Sequence, residues 1–159
     1  MIRVLLAEDV LSVRGLLREL LTPDPMLRIV AEVRRADAAW ALERYAADLV
    51  LFGVPSRASE HIDRLRQVAA KRPLPILAVA HPGSGPAAAY GALDAGAVEV
   101  FWLHPLVSEE RSRQLVGTVH RLIPPRACGA GTACAPRRGD PRRCALSCSR
   151  CPTRCRCQW

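Results

Sequence analysis

The chain has 159 residues, a formal net charge of +8 and a hydrophobic fraction of 50%. No apolar run approaches the roughly 20 residues that cross a bilayer, and the first ten positions mix charge with apolar residues, so no targeting leader is expected. The expectation is a cytoplasmic protein without membrane insertion.

Charge and cysteine divide the chain in two. Residues 1–123 hold 15 basic and 14 acidic side chains and no cysteine, whereas residues 124–159 hold eight arginines, one aspartate and all seven cysteines. The first segment has the size of one ordinary domain and is long enough to bury a core without disulfides. Domains are therefore expected at 1–123 and 124–159. Lys71 is the single lysine against 22 arginines and asparagine is absent, the bias of a GC-rich gene.

Along the first segment, short apolar runs alternate with helix-period stretches. The runs are Ile2–Ala7, Arg28–Val33, Leu49–Phe52, Ile76–Ala80 and Val98–Trp102. They are mostly unbroken rather than alternating, as expected of strands covered on both faces. After the first run, Val13, Leu16, Leu17, Leu20 and Leu21 recur at steps of three and four, an amphipathic helix for which Ser12 is a cap candidate. Pro23-Asp24-Pro25 stops it. Further helices are expected at Asp37–Ala46 (with Trp40, Ala41 and Tyr45), Ser59–Ala70 (with Ile62, Leu65 and Val68), Ala87–Ala95 and Ser108–Leu122. Gly96 is the expected stop of the fourth helix. Five alternations of strand and helix predict an α/β fold: an open, doubly wound, five-stranded parallel sheet with helices on both faces. In such sheets the chemistry lies at the carboxyl ends of the strands.

The first strand exits into Glu8-Asp9, an oxygen-rich pair that suits a hard cation such as Mg2+; the alternative is an acid that favours the loop beside one that is merely solvated. The third ends in Phe52-Gly53-Val54-Pro55, without acid, hydroxyl or imidazole. The fourth ends in Ala80-His81-Pro82-Gly83 and the fifth in Trp102-Leu103-His104-Pro105. Asp48 lies five residues before Gly53, roughly 16 Å away along an extended strand, and should not reach this edge. Gly83-Ser84-Gly85 reads as a flexible turn. None of His61, His81, His104 and His120 pairs readably with a nucleophile.

The segments MIRVLLAEDVLSVRGLLRELL, DPMLRIVAEV, ADLVLFGV, RPLPILAVA and LDAGAVEVFWLHP together resemble the receiver domain of response regulators, the flavodoxin-like or CheY-like superfamily. Within it they are most like the regulatory domain of the chemotaxis protein-glutamate methylesterase CheB. The resemblance covers roughly residues 1–107. It implies that Glu8 and Asp9 match an acidic, Mg2+-binding pair and that Gly53 stands at the phospho-accepting aspartate. Ala80 stands at the switch Ser/Thr, and His104 at the lysine of a Lys-Pro pair. Glycine has no carboxylate with which to take a phosphoryl group, and its loss also removes a metal ligand, so Mg2+ affinity should be weakened.

The segment 124–159 opens with Pro124-Pro125 and loses apolar periodicity. Cys148, Cys151, Cys155 and Cys157 include zinc-ligand spacings, but a second clean pair at finger-like distance is missing. Zinc is therefore not expected as a cofactor, and sparse aromatics argue against specific nucleic-acid binding. The expected state is an unstructured basic tail or a stretch translated out of frame. The serine motif of the CheB catalytic domain, Gly-x-Ser-x-Gly-Gly, is absent from the chain.

Three functions follow as expectations. The first is a receiver-like domain of two-component phosphorelay signalling, chemotaxis-related, acting as a pseudo-receiver through contact with a signalling partner. Histidine kinase, chemotaxis component and output domain are the partner classes. The second is a truncated or frameshifted CheB-like methylesterase without its catalytic domain, hence no enzyme. The third is a zinc- or nucleic-acid-binding protein acting through the tail.

Overall fold

The computed structural model describes residues 1–55, 59–106 and 108–123. Five strands, β1 (Ile2–Ala7), β2 (Leu27–Val33), β3 (Leu49–Val54), β4 (Ile76–Ala80) and β5 (Glu99–Trp102), form one parallel sheet in the order β2-β1-β3-β4-β5. The helices between and after them are α1 (Leu11–Leu21), α2 (Ala38–Arg44), α3 (Ser59–Lys71), α4 (Pro86–Asp94) and α5 (Glu109–Leu122).

Alternation along the strands sorts side chains into two cores. Leu5, Ala7, Val50, Phe52 and Ala78 pack with Ala41 and Leu42 of α2, Leu65 and Val68 of α3 and Ala88 and Ala92 of α4. Val4, Leu6, Leu49, Leu51, Leu77 and Val79 pack with Leu17, Leu20 and Leu21 of α1 and Leu115 and Val119 of α5. Burial on both faces explains why β1, β3 and β4 are nearly continuous apolar runs.

Several boundaries differ from expectation for local reasons. Helix α1 begins at Leu11, so Ser12 lies inside it and caps nothing; Val10 occupies the cap position, its amide donating to Oε1 of Glu8 at 2.9 Å. The stretch expected as one helix from Asp37 begins with a 3-10 turn at Arg35–Asp37, and Trp40 on α2 is exposed while its neighbours Ala41 and Leu42 are buried. Strand β3 runs on to Val54, which places Gly53 inside the sheet, paired with Val79. Gly96 does end α4: its φ is +112°, a conformation open to glycine, and a Cβ there would lie 2.8 Å from that of Ala69. Gly83, with φ of +87°, makes the turn after β4. That turn is tied down, because the buried Ser84 hydroxyl donates to the Val54 carbonyl at 2.9 Å.

Candidate functional site at the carboxyl edge of the sheet

Register assembles the site. Ala7 pairs with Val33 on one side and Phe52 on the other, so Glu8 and Asp9 leave β1 between the exit of β2 and the tip of β3. Val54 pairs with Ala80, which brings His81 to the same edge.

Glu8 is fully buried. Its Oε2 accepts a hydrogen bond from Nε2 of His81 at 2.7 Å, and its Oε1 accepts the Val10 amide and lies 3.6 Å from Nη1 of Arg35. Burial alone pushes this carboxyl up. The His81 and Val10 hydrogen bonds, with the charges of His81 and Arg35, outweigh it and leave Glu8 below the usual carboxylate range.

Asp9 is bound on both oxygens by one residue. Oδ1 accepts the Arg35 amide at 2.9 Å, and Oδ2 accepts a hydrogen bond from Nε at 2.8 Å and forms an ion pair with Nη2 at 2.6 Å. Desolvation again opposes ionisation, and the hydrogen bonds and charge of Arg35, with a further attraction from His61, lower the carboxyl overall. The Arg35 guanidinium is itself buried and donates from Nη1 to the Gly53 carbonyl at 3.3 Å. Arg14 fastens the same turn by donating to the Glu8 carbonyl.

At Gly53 the space for a side chain is already taken. A Cβ there would lie 1.7 Å from Oε2 of Glu8 and 2.7 Å from its Cδ, inside any carbon contact distance. Ala80 ends β4 fully buried and presents only a methyl group. His104 lies beyond β5, exposed; its Nδ1 accepts the Leu106 amide at 3.2 Å, and no hydrogen bond or ion pair joins it to Glu8 or Asp9. Asp48 is at the far end of the sheet, where its carboxylate accepts from the Arg3 amide and guanidinium at 2.8–3.0 Å. The cysteine positions 148, 151, 155 and 157 lie outside the described residues.

The residues present do not fit a divalent cation. Mg2+ requires oxygen ligands that are free to turn to it, whereas the Glu8 and Asp9 carboxylates already serve His81, Val10 and Arg35. Among the described residues no three His, Cys, Asp or Glu side chains are grouped to hold a metal. Sequence reasoning placed the acid pair at this edge and passed over Arg35 and His81 as its partners. The available signal for Arg35 was a basic pair, Arg34-Arg35, directly after the strand that neighbours β1.

A five-stranded parallel sheet in the order 2-1-3-4-5, two helices on one face and three on the other, and an acid pair at the exit of β1 define the receiver fold of response regulators. Known proteins agree. The receiver domain of Thermotoga maritima CheB superposes with a TM-score of 0.62 at 18% identity, covering 77% of this chain and 96% of that one. A putative pilus assembly protein, CpaE, from Burkholderia thailandensis superposes at 0.61 with 21% identity, covering 77% and 98%. In sequence, a protein-glutamate methylesterase/protein-glutamine glutaminase of the group 3 operon of Cereibacter sphaeroides is 30% identical over 100 residues, 62% of this chain. This chain spans 27% of the length of that relative. No family model matches. No helix among the described residues is long and apolar enough to cross a membrane.

Proposed function

We propose that this chain is a receiver-type module of two-component signalling that has given up phosphorylation and works through contact with a signalling protein. The chemotaxis setting of its methylesterase relatives is the context we propose for it. The observation that carries this reading is the occupation of the Gly53 side-chain volume by the Glu8 carboxylate. Transfer to an acyl phosphate needs an accessible carboxylate nucleophile. Glycine has none, Glu8 is fully buried, and Asp9 is held on both oxygens by Arg35. Ala80 presents a methyl group and His104 stands outside the cluster, so neither of these two positions offers a hydroxyl or a fixed cation to a phosphoryl group.

The contact surface we assign is the side formed by α4 and β5, where Tyr90, Leu93, Val98, Trp102 and Leu106 are exposed. A kinase, another chemotaxis component or an output domain is the class of partner. The test is incubation of the full chain with a small acyl-phosphate donor and Mg2+, read by intact-protein mass. No incorporated phosphoryl group is expected; stoichiometric incorporation overturns the reading.

A second reading is favoured by the methylesterase relatives, of whose length this chain spans 27%. On this alternative reading the chain is the receiver part of a CheB-like methylesterase gene. Sequencing beyond the codon for Ile123 in all three frames decides it: an open frame encoding Gly-x-Ser-x-Gly-Gly supports it, and its absence refutes it. In the absence of such a frame, the zinc content of the purified chain tests the cysteine cluster.

A further inference from the structure

Arg35 makes a set of contacts that the loss of the acceptor does not by itself explain. Its side chain is 6% exposed, and a guanidinium keeps its proton at any working pH. Burying that permanent charge is costly unless acceptors surround it. Here they do. Nε and Nη2 bind the Asp9 carboxylate, and Nη1 donates to the Gly53 carbonyl at 3.3 Å and lies 3.6 Å from the Glu8 carboxylate. These are oxygens from the exit of β1 and the tip of β3, the hard ligands that a cation in this crevice would need.

We propose that the Arg35 guanidinium is the resident cation of this site, a covalently tethered substitute for a divalent metal that leaves the chain indifferent to Mg2+. The inference rests on reading this edge as a receiver site without its acceptor, and it adds what now balances the acids. His81 completes the enclosure from β4 by binding the Glu8 oxygen that faces Gly53. With Arg35 in place, an incoming divalent ion meets a positive charge at the acids, and each carboxylate oxygen of Glu8 and Asp9 already holds a hydrogen bond or ion pair. With Arg35 neutralised, two adjacent carboxylates lose their fixed counter-charge and become a cation site.

The test titrates the full chain with Mn2+, followed by Mg2+, reading bound ion by paramagnetic relaxation and the unfolding temperature. The parent is expected to show no saturable binding and no shift in the millimolar range. Arg35→Gln is expected to melt lower in metal-free buffer, to recover with Mn2+, and to bind one ion saturably, with a dissociation constant at least roughly tenfold below the highest concentration at which the parent shows no binding. Arg35→Lys, which keeps the charge, stays metal-indifferent. Saturable Mn2+ binding by the parent that Asp9→Asn abolishes overturns the proposal, and this comparison decides the matter even if Arg35→Gln does not fold. A folded Arg35→Gln that ignores metal overturns it as well. Either result leaves the missing acceptor untouched, whereas phosphoryl incorporation defeats the reading of the preceding subsection whatever the metal result.

Discussion

Replacing Gly53 by alanine probes the site with a single methyl group. An ideal Cβ there stands 1.7 Å from Oε2 of Glu8, so the carboxylate has to leave its place. Leaving breaks its bonds with His81 and with the Val10 amide. Hydrogen bonds to a charged group contribute about 1.5–3 kcal/mol each, partly offset when the released carboxylate rehydrates. Alanine would otherwise be favoured over glycine in a strand by about 0.5–1 kcal/mol. The bonds win, and the expected net loss is about 2–4 kcal/mol. Urea unfolding of the full chain, followed by far-ultraviolet circular dichroism, should show a lower midpoint with an unchanged slope. In a Glu8→Ala background the methyl group has room, and the same substitution should stabilise by about 0.5–1 kcal/mol. A Gly53→Ala chain as stable as its parent, or an equal loss in both backgrounds, refutes the reasoning.

Phe52 is fully buried one residue before this position, and Phe52→Ala should cost about 3–5 kcal/mol in the same unfolding assay. Gly96→Ala forces a side chain into φ of +112° and against Ala69, and should lower stability by more than about 1 kcal/mol. Asp24 joins the turn after α1 to α5 through Nε2 of His120 at 2.7 Å. Burial raises its carboxyl, but the hydrogen bonds from His120 and the Met26 amide and the charge of His120 bring it below the ordinary range. A lowered folded pKa means that this stabilisation is present above the unfolded value of about 3.9 and is lost as pH falls through the folded one. The stability difference between parent and Asp24→Asn should therefore narrow as pH falls below the unfolded value of about 3.9, and a constant difference would refute the linkage.

Strand and helix identity was legible because of how this fold buries its chain. Strands enclosed on two faces carry no alternation, so Ile2–Ala7 and Ile76–Ala80 stand out as unbroken apolar runs between helical periodicities. Boundaries were harder to read where backbone bonding outweighs propensity. Ser12 is a good cap by type, yet the helix starts before it because Glu8 already takes the Val10 amide. Trp40 fits an apolar stripe by spacing, yet on the short α2 the small Ala41 and Leu42 meet the sheet and Trp40 faces outward.

By itself the sequence determined that no phosphoryl group can be carried at position 53, since glycine offers no nucleophile in any fold. It also determined that Glu8 and Asp9 leave the first strand together, because adjacency in the chain is adjacency in space. Only the tertiary structure decided what those acids bind. Arg35 is 26 residues from Asp9 and His81 is 73 from Glu8, distances that local pattern cannot bridge. The parallel order β2-β1-β3-β4 brings the exits of those strands to one edge. There, the space that a side chain at 53 would need is filled by the carboxylate of Glu8, and a buried guanidinium holds the charge that burial would otherwise forbid.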